Sequence, residues 1–544
     1  MDKRTIIGII VIFAIFFLSE QFIWKKTKPA PASNPKQENT QVSDSIPAKP
    51  TAQPTLIQTP PAFVEPDMKT AAINDNIILE NDSLKLVFSN RGGVIRQAFL
   101  KKFSLANKQT VQLIPTGKEV ANTVLINDSN TTDLKNLPFD YTLITENGKP
   151  GVRFSFTPEP DRIIEKTFIL DGAYGVKLNL KLHSVYSLMG YSLGFDSGIN
   201  DTEDYLKAKG QDYKFYAQVD NQLVRKDLAK LNKDTFTQNG KVDWAAARTK
   251  YFTIACRDLE PVLTNSVQAD TSGNSPAFTL SVKRDKASID WDEDYLLFFG
   301  PADYNLLKTH GAGLENVAER GAKWLRWLVD IFAWFLKLLY KFIPNYGVVI
   351  ILFSLVLKML LHPLTHKSLD SSLKMQKIQP QVAALQQQYK NDPKRMQMEL
   401  SKLYKEAGAS PLGGCLPLLL QMPVFFALYT VLRFSLDMRQ AGFFGWLKDL
   451  SEPDPLYILP ILMGVFMIIQ SLMMNPKKQQ LEQMDEKQQA MQQSQRMMAW
   501  IMPVVLFFVF KSMPAGLVLY WTVFNILSIL QQYYLQKHLN KKES

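Results

Sequence analysis

Apolar and polar positions follow two rhythms along this chain. Between about residues 76 and 300 they alternate in short runs: LKLVFSN at 84–90, RFSFTPE at 153–159, KTFIL at 166–170, VKLNLKLHS at 176–184 and YLLFFG at 295–300. A period of two is that of a half-buried strand, and turn signals such as Asn90-Arg91-Gly92-Gly93, Asp171-Gly172 and Asn239-Gly240 divide the runs. Many short strands so spaced predict a large all-β sandwich. Further on, apolar positions run together at 345–364, 416–436, 456–474, 497–510 and 516–535, which read as five membrane-spanning helices. One more apolar run follows Lys3 and Arg4, and lysines 25, 26 and 28 separate it from the small-residue stretch Ala30-Pro31-Ala32. That order favours an uncleaved signal anchor over 1–24, followed by a proline-rich tether over 25–70.

The first of the five spans is polar where a span should not be. Ser354, Lys358 and His362 recur every four residues on one helix face, and the last span repeats the pattern with Thr522, Asn525, Ser528 and Gln532. Gln421 adds a polar group to the second of the five. A charge at the bilayer centre costs about 2.5–3.5 kcal/mol on insertion scales, so it faces a partner or water unless it snorkels to the headgroups. Polar stripes also serve as helix glue, at about 0.6 kcal/mol per hydrogen bond. Glue explains a single Thr or Ser. It explains less well Lys358, which has no acidic residue in any core span to neutralise it, and a hydrated groove accounts for both stripes.

The segments between the spans set topology. Residues 314–343 are rich in Trp, Leu and Phe but keep Lys323, Arg326, Asp330, Lys337 and Lys341 on one side, which predicts an amphipathic helix lying in the interface. Residues 365–410 show two amphipathic periods around Asn391-Asp392-Pro393, with Asp392 as N-cap and Pro393 at the first helical position: a helical hairpin. Its lysine surplus, that of the 475–495 loop and that of the 537–544 tail place all three in the cytoplasm, opposite an acidic loop with Asp437, Asp449, Glu452 and Asp454. The β domain is then external and both termini are cytoplasmic.

Composition changes this picture little. The net charge of +11 reflects lysines beside apolar segments rather than a nucleic-acid motif. Two cysteines, Cys256 and Cys415, fall on opposite sides of the membrane, and neither they nor the five histidines form a metal framework. His183 is the only histidine well inside the β region, so an acid/base site there would lack its second base and a non-catalytic domain is expected. No cofactor is implied.

LGGCLPLLLQMPVFFALYTVL at 412–432, YILPILMGV at 457–465, IMPVV at 501–505 and PAGLVLYW at 514–521 resemble the conserved spans of the YidC membrane protein insertase family. The resemblance covers essentially the whole chain. It implies a multi-span α-helical membrane protein, with a five-helix insertase core plus the N-terminal anchor, and a large all-β periplasmic domain of the β-supersandwich type at 71–313. The core occupies 344–536, and the protein is no enzyme but an inner-membrane insertase and chaperone. Implied partners are nascent membrane proteins, the Sec translocon with its accessory subunits, translating ribosomes and the lipid bilayer. Lys358 takes the place of the family's groove cation, most often Arg; Ser354, His362, Gln421, Tyr520, Trp521, Thr522, Asn525 and Ser528 share that groove. Phe425, Phe426, Met498, Phe507 and Phe508 form an apolar slide along which a client leaves into lipid. Because groove, hairpin and slide all lie beyond residue 314, the β domain is expected to be dispensable for insertion. A small-solute transporter or channel is the alternative, but it predicts more intramembrane charges and repeated halves. A carbohydrate-processing protein merely anchored by its spans leaves groove and hairpin unexplained.

Overall fold

A computed structural model of the chain describes residues 72–127, 130–183, 188–261, 265–409, 416–474, 497 and 500–543. The signal anchor, the tether, the 475–495 loop, Cys415 and Met498 lie outside the described residues.

The alternating runs form antiparallel strands in three sheets of four, nine and six strands. The period of two is plain in Gly175–His183, where Val176, Leu178, Leu180 and Leu182 are buried and Lys177, Lys181 and His183 are exposed. The nine-stranded sheet is the common layer. Its Phe215 and Trp291 meet Phe278 and Tyr191 of the six-stranded sheet at 6.1 and 5.4 Å between ring centroids. On the same sheet Phe154 and Phe168 pack at 5.8 and 5.0 Å against Phe88 of the four-stranded sheet. One apolar core, running from Ile77 to Ala318, joins all three sheets, and a second runs from Val329 to Phe524 through the helices. The β domain thus owns a complete core.

Lys166 lies inside that core. Its side chain is fully buried and Nζ donates to the carbonyls of Gly92 at 2.8 Å and Ala121 at 3.2 Å, and no carboxylate among the described residues forms an ion pair with it. Burial pushes this lysine down to about 7, against an ordinary value of 10.5. Between those values the unfolded state binds the extra proton, so this group's contribution to stability rises with pH, by at most about 1.4 kcal/mol per unit. Below about pH 7 both states are protonated and the dependence from this group ends. We expect the stability of the isolated domain, relative to Lys166→Met, to rise from pH 7 to 10 in thermal unfolding. A gap that stays flat would remove the buried neutral lysine.

The helical part departs from the sequence expectation in two places. The interfacial helix does not begin at 314: short 3-10 turns at Leu314–Val317 and Lys323–Leu325 precede helix α1, Arg326–Phe342. The break has a cause. Glu319 turns into the β domain, and Gly321, at φ +66°, sits where a Cβ would come within 2.9 Å of Thr430 Oγ1. Helix α1 buries Val329, Phe332 and Leu336 and exposes Trp327, Ile331 and Trp334 along its other apolar edge, with Trp324 of the preceding turn exposed as well.

The pattern predicts a span over 345–364 and a separate hairpin from 365, yet helix α2 runs unbroken over Tyr346–Gln388, 43 residues with Pro363 and Pro380 inside it. At 1.5 Å per residue this is about 64 Å, so the first arm of the hairpin is a rigid extension of the span. Pro363 withholds an N–H from the Met359 carbonyl, and just beyond it Thr365 Oγ1 donates to the carbonyls of Leu361 and His362. Asp392 accepts from Arg395 N at 3.1 Å and Pro393 opens helix α3, Pro393–Glu406, as its sequence requires. No side chain of α3 is buried, so little holds the hairpin to its neighbours. The other spans are helices α4 (Leu416–Phe434), α5 (Ile458–Met474), α6 (Trp500–Phe510) and α7 (Ala515–Glu543). At Gly347 a Cβ would overlap the Phe443 ring, so the loop after α4 packs closely over the N-terminal end of α2.

Candidate functional site

Helices α2 and α7 bring the two polar stripes together. Lys358 Nζ donates to Ser528 Oγ at 2.7 Å and lies 4.4 Å from the centroid of Phe524, and the residue is only 9% exposed. No carboxylate among the described residues pairs with it. An ammonium held by one hydroxyl and one aromatic face keeps donor capacity for an incoming acceptor.

The polar groups nearby are short of partners. Gln421 Nε2, Tyr520 Oη, Asn525 Nδ2 and both polar atoms of Gln532 are buried without a hydrogen bond among the described residues. Each orphaned polar atom costs about 1–3 kcal/mol unless water or a ligand satisfies it. Four such side chains on two helices, α4 and α7, in the bundle that buries Lys358 leave acceptors and donors for water or a ligand. Ser354 and Thr522 contribute less, because their hydroxyls bond back to Ile350 O at 2.7 Å and Val518 O at 2.8 Å. His362 is exposed and lines a cavity of about 390 Å³ between α2 and α7, together with Lys358 and three polar residues that sequence reasoning did not select: His366, Gln531 and Tyr534. Phe524 was missed as well, since an aromatic in an apolar span carries no signal of its own.

The apolar slide is only partly a surface. Phe508 is 58% exposed and Phe507 and Phe426 are half-buried, whereas Phe425 is 5% exposed in a cluster with Phe510 and Trp521 at 5.9 and 5.4 Å. Phe425 and Trp521 therefore pack the bundle instead of offering contact. The face of α6 that is open carries Trp500, Ile501 and Val504 beside Phe508, at helical spacing.

A second polar constellation joins the β domain to the end of α4. Arg433 Nη2 donates to both carboxylate oxygens of Asp212 at 2.9 and 3.0 Å, with both side chains 8% exposed. Arg439 reaches Glu203 at 2.7 Å and the carbonyls of Ser104 and Thr202, Lys250 donates to Ser451 O at 3.1 Å, and Tyr251 to Arg433 O at 3.0 Å. Burial pushes the Glu203 carboxyl up to about 7 against the pull of Arg439. Nearby, Glu319 is buried too, but Lys214, Arg225 and Arg248 hold it well below the usual carboxylate range. His183, the candidate base weighed for the β region, is on the surface and paired with Asp290 at 2.8 Å.

Residues 338–542 match the family described as 60Kd inner membrane protein, and residues 76–335 match the one described as the YidC periplasmic domain. A protein of Syntrophus aciditrophicus named membrane protein insertase YidC is 32% identical, covering 99% of this chain and 100% of its own length. One of the same name from Chlorobaculum tepidum is 32% identical over 100% of this chain and 96% of its own. A solved structure described as an active YidC insertase with its first transmembrane domain resolved covers 87% of this chain and 95% of that one, at 20% identity and a TM-score of 0.36.

Proposed function

We propose, from the premise that this chain belongs to the YidC membrane protein insertase family, that it inserts clients through the seam between α2 and α7 and releases them along α4 and α6. The family is one of inner-membrane insertases with a periplasmic domain and is not an enzyme family; nascent membrane proteins are its clients. The hairpin of α3 and the cytoplasmic half of α2 meets an emerging segment. Lys358 draws the client's polar flank part-way across the bilayer, and Gln421, Tyr520, Asn525 and Gln532 keep water there to solvate it. The apolar segment slides out over Phe508 and its neighbours. Burial in lipid then drives the step, at about 0.8 kcal/mol per CH₂.

The observation that carries this reading is buried Lys358 together with Gln421, Tyr520, Asn525 and Gln532, buried in the same apolar bundle with polar atoms that lack a hydrogen bond among the described residues. Contact with the Sec translocon and with translating ribosomes, cytoplasmic termini and the division into anchor 1–24, linker 25–70, β domain 71–313, an interfacial segment whose helix is Arg326–Phe342, core 344–536 and tail 537–544 belong to the same proposal. Depletion of the protein from its cells tests it. Short single-span inner-membrane proteins should remain uninserted and protease-accessible from the cytoplasm, whereas unchanged insertion of all of them contradicts it.

A further inference from the structure

The cavity between α2 and α7 is graded in a way that a hydrated seam does not require. One end is wholly apolar, formed by Leu355, Met359 and Leu527, and the other carries His362, His366, Gln531 and Tyr534 with a single apolar residue, Leu535; Lys358 lies between. From Leu355 to His366 the helix rises about 16 Å, close to the depth of one leaflet. The flanks are open to lipid: Met359 and Leu360 are 72% and 73% exposed, and Tyr534 is 62% exposed. Among the described residues no Asp or Glu lines the cavity, so one ammonium and two imidazoles one turn apart, their rings 5.7 Å from each other, have no counter-charge within it.

We propose that this furrow holds an anionic phospholipid of the cytoplasmic leaflet when no client is present. The phosphodiester lies among Lys358, His362, His366 and the Tyr534 hydroxyl, and an acyl chain runs inward over Leu355, Met359 and Leu527. An amphiphile matches both ends of the cavity at once; a free anion matches only the polar end, and a zwitterionic lipid brings its own cation to a site that already has one. The orientation rests on the topology proposed above, with the C-terminal ends of α2 and α7 toward the cytoplasm. A lipid in this place occupies the entry that an acidic client flank uses.

The test uses the full chain in phosphatidylcholine vesicles with a photoactivatable phosphatidylglycerol carrying its reactive group on an acyl chain. Crosslinks should map to α2 around Leu355–Met359 and to α7 around Leu527, and unlabelled phosphatidylglycerol should compete while added phosphatidylcholine and inorganic phosphate do not. The double variant His362→Gln, His366→Gln, at two exposed positions, should lose labelling by about threefold or more, as expected when basic groups near an anionic headgroup are removed. Equal labelling by a phosphatidylcholine probe, competition by phosphate alone, or labelling unchanged in the double variant overturns the lipid site. Because no client is present, a negative result here is separate from failure of the insertase reading, which insertion of a neutral-tailed client by the same preparations measures on its own.

Discussion

Asp212→Ala is expected to harm the full chain more than loss of the whole β domain harms the helical core. Removing one partner of a buried ion pair leaves an uncompensated charge, typically at about 3–5 kcal/mol. Arg433 is then stranded at the end of α4 under the β domain, with Tyr251 and Lys250 still closing the site around it. Deleting about 76–300 instead exposes Arg433 and Arg439 to water, which solvates them, and leaves the second apolar core intact. The buried contacts therefore do not overturn the expectation that the β domain is dispensable; they specify how it is. Thermal unfolding of the detergent-solubilised proteins should show the midpoint falling for Asp212→Ala and recovering in Asp212→Leu, Arg433→Leu. An Asp212→Ala protein as stable as wild type shows that the pair is solvated and the two cores are only loosely joined.

Reversing the groove cation should separate clients by charge. A client carboxylate about 4 Å from Lys358 gains about 4 kcal/mol at an effective dielectric of 20, and in Lys358→Glu the same term becomes repulsive. Desolvation takes back much of this, yet a residual 1.4 kcal/mol is tenfold. We expect insertion of an acidic-tailed client to fall tenfold or more in Lys358→Glu, to survive in Lys358→Arg, and to be nearly unchanged in Lys358→Ala when the tail is uncharged. With Lys358 9% exposed and bonded to Ser528 on α7, a lysine that merely snorkels is not what the structure contains. Equal insertion of every tail by all three variants removes the electrostatic step.

What was legible in the sequence is what local pattern controls. Period-two strands such as Gly175–His183, the Asp392-Pro393 helix start and the polar face of α7 follow from residues a few positions apart. The missed features depend on distant partners or on context that overrides propensity. Asp212 sits in an unremarkable KGQDY run and meets Arg433 across 221 positions. Lys166 resembles any strand lysine until three sheets close over it. Pro363 carries a strong break signal, yet α2 stays helical through it. Within the candidate site, spacing selected Lys358, Asn525 and Ser528, while the packing role of Phe425 and the place of His366 at the cavity mouth needed the helices in place.

The central claim is that a client's polar flank enters the α2–α7 seam while its apolar segment meets the open face of α6. Site-specific photocrosslinking of a ribosome-stalled single-span client tests it most directly, with probes placed in turn at Asn525, Gln532, Val504 and Phe508. The account predicts that Asn525 and Gln532 capture the client's polar flank and that Val504 and Phe508 capture its apolar segment. Capture of the apolar segment at all four positions, with no contact from the polar flank at Asn525 or Gln532, contradicts it.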